Sequence, residues 1–211
     1  MRRLPVYLLL DTSGSMKGEP IEAVKVGLST LLSSLRQDPQ ALEIVHLSLM
    51  TYDREVRILV PLTSVEEFVL PIITTPESGP TMTGLALQAV CMAVDREVIK
   101  TTPIKKGDMR PLLFIMTDGG ASDIQLFNEM IPEVKRRSFA SVIGCAAGHR
   151  SKPEELKKIC DHVVTLDTMD SHSFKGFFSW VSSTALSGTT SIGLTPELVL
   201  PPPPVEINVV C

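Results

Sequence analysis

Few residues here could build the common metal or redox sites. The four cysteines (Cys91, Cys145, Cys160, Cys211) include no CxxC pair, and the four histidines (His46, His149, His162, His172) are scattered, so neither set makes a zinc pattern. Cys91 and Cys145 lie in apolar stretches and are expected in the core. No long run of Lys and Arg is present and net charge is -4, which argues against nucleic acid as a partner. No segment is long and apolar enough to span a membrane. No Gly-rich loop ends in Lys-Ser or Lys-Thr, which removes the usual phosphate cradle of nucleotide hydrolases. No Ser-His-Asp or Cys-His set assembles from the pattern, although His149 after Gly148 falls in a loop and stays open as a candidate. Met1-Arg2-Arg3 followed by the apolar residues 6–10 imitates an export signal, but the run is short and Asp11 interrupts it. A buried first strand and a reducing cytoplasm are the expectations.

What is present is ordinary globular material: 44% apolar and 21% charged residues in a 211-residue chain. That length suits one large domain with a full core. Strand and helix patterns alternate. Residues 5–10 form a continuous apolar run, as a strand covered on both faces requires. Pro20 fits a helical first turn, and Ile21, Val24, Leu28, Leu31, Leu32 and Leu35 then recur at helical spacing. Val45, Leu47 and Leu49 alternate with polar residues, and after Asp53-Arg54 the alternation resumes at Val56, Ile58 and Val60, predicting a hairpin with an antiparallel edge strand.

Ser64 to Glu67 has the form of a capping box opening a short helix. A loop over residues 71–83 precedes a helix to about residue 100 whose first half is apolar almost all round. Residues 111–116, 139–147 and 162–166 read as strands. Residues 124–137 read as a helix that Pro132 bends or splits, Ser151-Lys152-Pro153-Glu154 caps another, and residues 171–185 close the domain. Trp180, Phe177 and Phe178 on that last helix are expected in the core. The fold class is therefore α/β: a three-layer, Rossmann-like sandwich with a mostly parallel sheet, one antiparallel edge strand, and helices on both faces. Residues 1–186 form the domain. Residues 187–211, which include the run of prolines 201–204, form an extension that lies on it, or an arm that adds a strand to a neighbour.

Two apolar strands end alike. Leu8-Leu9-Leu10 runs into Asp11-Thr12-Ser13-Gly14-Ser15, and Phe114-Ile115-Met116 runs into Thr117-Asp118-Gly119-Gly120. Ligands of open α/β sheets bind beyond the carboxyl ends of strands, so both aspartates can meet at one rim. Between them, Gly79-Pro80-Thr81-Met82-Thr83-Gly84 delivers hydroxyls ahead of a buried helix. Hard dications take oxygen ligands, and Asp11, Ser13, Ser15, Thr81 and Asp118 supply five from three segments. Taken singly, Ser or Asp after a strand is often a helix cap; the agreement of three separate loops favours a metal site. Met16 is read as core packing.

These residues resemble the metal-ion-dependent adhesion site (MIDAS) of von Willebrand factor A (VWA) domains: Asp11-Thr12-Ser13-Gly14-Ser15, Thr81 (with Thr83 as the alternative) and Thr117-Asp118-Gly119. The fold resemblance covers about residues 4–185. It implies Mg2+, with Mn2+ or Ca2+ as substitutes, and serine and threonine ligands that touch the ion while the aspartates act through water. It also implies loop and last-helix movement in related domains, for which no residue here is diagnostic.

Residues 1–7, 18–25 and 107–112 further resemble TerY-like VWA proteins of bacterial tellurium-resistance and stress operons. That resemblance implies operon-encoded tellurium-resistance, kinase-like or phosphatase-like partners. Some relatives carry a zinc ribbon whose cysteine pairs the proline-rich tail lacks.

The expected function is non-enzymatic docking of a partner's Asp or Glu onto the ion, since neutral hydroxyl ligands leave most of its charge uncancelled. The rival is a magnesium-dependent phosphoester hydrolase using Asp11. Phosphoaspartate phosphatases need a second acid two residues on, and position 13 is Ser. A third reading has the metal only stapling loops.

Overall fold

The structure is a computed structural model that describes residues 2–190, 201–204 and 208–210. β1 (Leu4–Asp11) is buried along its whole length. It pairs in parallel with β2 (Val45–Tyr52) on one side and with β4 (Leu112–Thr117) on the other. β5 (Ser141–Ala147) and β6 (His162–Leu166) continue the parallel run. β3 (Val56–Ser64) folds back on β2 as the antiparallel edge that the hairpin pattern predicts. The order is β3-β2-β1-β4-β5-β6-β7, in which β7 (Asn208–Val210) pairs antiparallel with β6.

β7 lies within the segment expected to be an extension or a strand-donating arm. It adds a strand to this chain's own sheet, giving a second antiparallel edge. Upstream, Trp180 Nε1 donates to the Pro201 carbonyl at 2.9 Å, which fixes the start of the proline run. The remaining residues of that extension, 191–200, 205–207 and 211, lie outside the described residues.

Alternation along β1 divides the core. Val6, Leu8 and Leu10 face α1 (Glu19–Gln37), α2 (Pro39–Ile44) and α6 (Ser171–Thr190), where Phe177, Phe178 and Trp180 are buried as expected and Phe174 is buried beside them. Tyr7 and Leu9 face α3 (Thr83–Glu97) and α4 (Ile124–Arg136). Cys91 and Cys145 are buried, one on each side of the sheet.

Three local expectations shift. Ser64 and Glu67 do make capping-box contacts, with Glu67 N–H donating to Ser64 Oγ at 3.3 Å, but the turn goes no further. Pro71 soon follows, and the residue before a proline is pushed out of the helical region. Pro132 leaves α4 continuous. α5 (Pro153–Leu156) is one turn long, and the Ser151 hydroxyl donates to the Gly148 carbonyl at 2.7 Å instead of capping it.

The connection from β1 goes to β2 on one side, and the chain later enters β4 on the other. That reversal opens a crevice at the carboxyl ends of β1 and β4.

Candidate metal centre

β1 ends at Asp11, and the chain turns through Ser13 into a single 3-10 turn, Gly14–Met16. The Met16 side chain is fully buried and pins this turn to the core, as expected of a packing residue. Asp11 is held at both oxygens: Oδ1 accepts Ser13 N–H at 2.8 Å and Oδ2 accepts the Thr117 hydroxyl at 2.7 Å. Ser13 Oγ lies 3.2 Å from Ser15 Oγ, which donates to Asp118 Oδ1 at 2.9 Å. Asp11, Ser13, Ser15 and Asp118 thus form one connected cluster.

Thr81 arrives separately. Its N–H donates to Ser122 Oγ at 3.0 Å, and its carbonyl accepts Ser122 N–H at 2.8 Å. Asp123, one residue on, caps α3 from outside by accepting Gly84 N–H at 2.9 Å and Leu85 N–H at 2.8 Å. These contacts bind the threonine loop to the Asp118 loop. Thr81 shares with Gly14, Ser15, Asp118 and Arg150 an open cleft of about 550 Å³. Thr83, the alternative, lines a separate small void with Thr117 and Phe127. His149 is exposed on the loop after β5 and is absent from the cleft lining.

The electrostatics are one-sided. Burial pushes the Asp11 carboxyl up to about 6 against the hydrogen bonds from Thr117 and Ser13, and the charge of Asp118 pushes the same way. Burial also raises Asp118, against the Ser15 hydrogen bond and the field of Arg150. Among the described residues, neither carboxylate has an ion-pair partner within 4.0 Å. Two desolvated carboxylates beside three hydroxyls suit a hard dication, which would supply the missing positive charge. Among the described residues, no group of three His, Cys, Asp or Glu side chains offers another metal site.

Thr117 stands in the motif without an assigned role, and the other supports were not picked out by spacing. The Thr117 hydroxyl orients Asp11, and Ser122 and Asp123 position Thr81 and α3. Asp53 is buried in the β2–β3 turn, pairs with Arg57 at 3.0 Å, and offers its carbonyl to Met82 N–H at 3.0 Å. An Asp at a tight turn was the available signal for Asp53. Gly14 admits the close approach of two loops: a Cβ there would lie 2.6 Å from Ser78 Cα.

An α/β sandwich with an oxygen-lined crevice at its strand reversal defines a class of ligand-binding domain. The chain belongs to the VWA family, since the model of the von Willebrand factor type A domain matches residues 6–178. It is similar to matrilin-3 of Gallus gallus, 31% identical over 128 residues, which is 58% of this chain and 27% of that protein. The chain therefore spans about a quarter of that relative's length. The fold is similar to a von Willebrand factor type A structure from Catenulispora acidiphila (TM-score 0.67, 15% identity, covering 88% of this chain and 43% of that one). It is also similar to proximal thread matrix protein 1 of the mussel byssus with a zinc-occupied MIDAS motif (TM-score 0.62, 16% identity, covering 86% of this chain and 48% of that one). A third likeness is the pilus adhesin SpaC of Lactobacillus rhamnosus GG (TM-score 0.65, 11% identity, covering 90% of this chain and 31% of that one).

Proposed function

We propose that this domain is a non-enzymatic, metal-dependent docking module that holds a divalent cation through Asp11, Ser13, Ser15, Thr81 and Asp118 and receives a carboxylate from a protein partner. The observation that carries this reading is the pair of buried carboxylates, Asp11 and Asp118, tied to hydroxyls at the floor of an open cleft and, among the described residues, without an ion-pair partner. A dication touched by the neutral hydroxyls, with the two carboxylates acting through water, would keep an open position for an anionic atom. Ser15 is exposed at the mouth, and Thr81 is held from the opposite side by Ser122. The zinc-occupied MIDAS motif of the mussel byssus protein supports a divalent ion in this class of site. Mg2+ is the proposed ion here, with Mn2+ or Ca2+ as substitutes.

Asp11 is poorly placed to act as a nucleophile: it is fully buried and both of its oxygens accept hydrogen bonds. That favours docking over phosphoester hydrolysis. The proposed setting is bacterial tellurite resistance and stress response in the cytoplasm. It rests on the resemblance of residues 1–7, 18–25 and 107–112 to TerY-like proteins, with operon-encoded kinase-like or phosphatase-like proteins as candidate partners. The same reading takes residues 1–186 as the binding domain and 187–211 as an extension.

The test is an affinity pull-down with wild type and Asp11→Ala, in Mg2+ and then in EDTA. Partner capture that needs both Asp11 and the ion is the expected result. Capture indifferent to both overturns the proposal.

A further inference from the structure

Among the described residues, two lysines next to residues that line the cleft are already committed. Lys17 pairs with Glu77. Lys152 pairs with Glu155 at 3.3 Å, while Glu155 also accepts Ala121 N–H at 2.9 Å, so that pair fastens the loop after Asp118. Arg150 is different. It is exposed on the loop after β5, it lines the cleft together with Ser15, Thr81 and Asp118, and it has no ion pair or hydrogen bond among the described residues. Its neighbour Ser151 is held back to Gly148 at 2.7 Å, and Gly148 N–H donates to the Leu166 carbonyl at 2.8 Å, so the loop base is fixed while the guanidinium stays open to solvent.

We infer that Arg150 is a second anchor for the partner, so that the docking segment carries two acidic groups: one for the metal position and one, close by in space, for the guanidinium. This rests on the docking function proposed above and specifies the chemistry of its partner. Charge complementarity carries it. A guanidinium presents a planar fork of donors that matches a carboxylate in bidentate fashion, and one without an internal partner keeps all of them for a ligand. Arg150 also lies close enough for its charge to act on Asp118. It therefore repels a cation at the metal position while it attracts an anionic segment above it. A residue serving only to hold the metal or the loop would not combine these opposite effects.

The test selects a random-peptide phage library on the full chain in Mg2+, with EDTA elution. Wild type is expected to enrich peptides with two acidic residues. Arg150→Ala is expected to enrich peptides that need one, and to bind the wild-type peptides about 3- to 10-fold more weakly, the range of a charge-assisted contact at a partly exposed site. Arg150→Lys keeps the charge without the fork and falls between them. Calorimetric titration with Mg2+ alone should show affinity unchanged or modestly tighter in Arg150→Ala.

EDTA-sensitive peptides that bind wild type and Arg150→Ala equally overturn the second anchor and leave metal docking standing. Weaker Mg2+ binding in Arg150→Ala also overturns it, because the residue then serves the metal site. If no enriched peptide is EDTA-sensitive, docking and anchor fall together.

Discussion

The two ends of the central strands treat charge in opposite ways. At the amino end, Arg3 grips Asp108 through Nε at 2.9 Å and Nη2 at 2.6 Å, and Asp108 also accepts Ile99 N–H at 2.8 Å. Burial alone would push Asp108 up, but these donors outweigh it and hold its carboxyl below the ordinary range. At the carboxyl end, Asp11 and Asp118 are raised and have hydroxyl and amide donors without a guanidinium. One end closes its electrostatics within the chain. The other leaves a negative site that an external cation can complete. On the function proposed above, the contrast separates a charge that serves folding from a charge that serves binding, and buried acids alone do not make that distinction.

The largest test of the contrast is Arg3→Ala, which leaves Asp108 without its fork. It should cost about 3 kcal/mol in chemical denaturation and leave Mg2+ affinity untouched. The folded pKa of Asp108 lies below its unfolded value. Its contribution is therefore present above about pH 4 and is lost as pH falls through the folded value. The gap between wild type and Arg3→Ala should narrow in acid unfolding below about pH 4.

Asp11→Asn should act in the reverse direction. It removes a buried charge but keeps the shape, so the metal-free variant is expected to be more stable than metal-free wild type by about 2 kcal/mol. Its melting temperature should no longer respond to Mg2+. A metal-free Asp11→Asn that melts below wild type would show that the site is electrostatically complete without an ion.

Thr117→Val keeps the strand and removes the hydroxyl that orients Asp11. Mg2+ affinity should fall roughly 10-fold, as when a residue supporting a ligand is lost. The smallest effect belongs to Lys17→Ala. Its pair with Glu77 is exposed at both ends, and denaturation should shift by no more than about 0.5 kcal/mol.

Much of this was legible in the residues. β1 and β4 are apolar runs that end in Asp, and a parallel sheet puts such ends at one rim. Four of the five proposed donors, Asp11, Ser13, Ser15 and Asp118, lie in the loops that follow β1 and β4, which is a local signal, and Thr81 lies just ahead of α3. What escaped depends on how distant loops meet. Ser122 and Asp123 look like ordinary residues before a helix, but Asp123 caps α3, a helix in a different segment. Arg150 is one charged loop residue among many until the fold sets it over the cleft. β7 is a short apolar stretch beyond prolines, and its pairing with β6 is long-range, as strand pairing usually is. α5 is one turn long, and Leu156 and Ile159 anchor it and the following turn in the core before β6 begins at His162.

The seating of Gly14 against Ser78 bears on how long the molecule survives. Donors from three distant segments converge only after the loops have docked backbone to backbone, so an unfolded chain holds few of them together. An ion that binds the native state almost alone raises its stability by mass action, about 2.7 kcal/mol at a hundredfold excess over the dissociation constant. Proteases and chaperones act on the open form. With Mg2+ as the ion of the proposed site, its level in the surroundings would bear on the protein's half-life as well as on docking, and a substitution at Gly14 would shorten that half-life without changing a single donor atom.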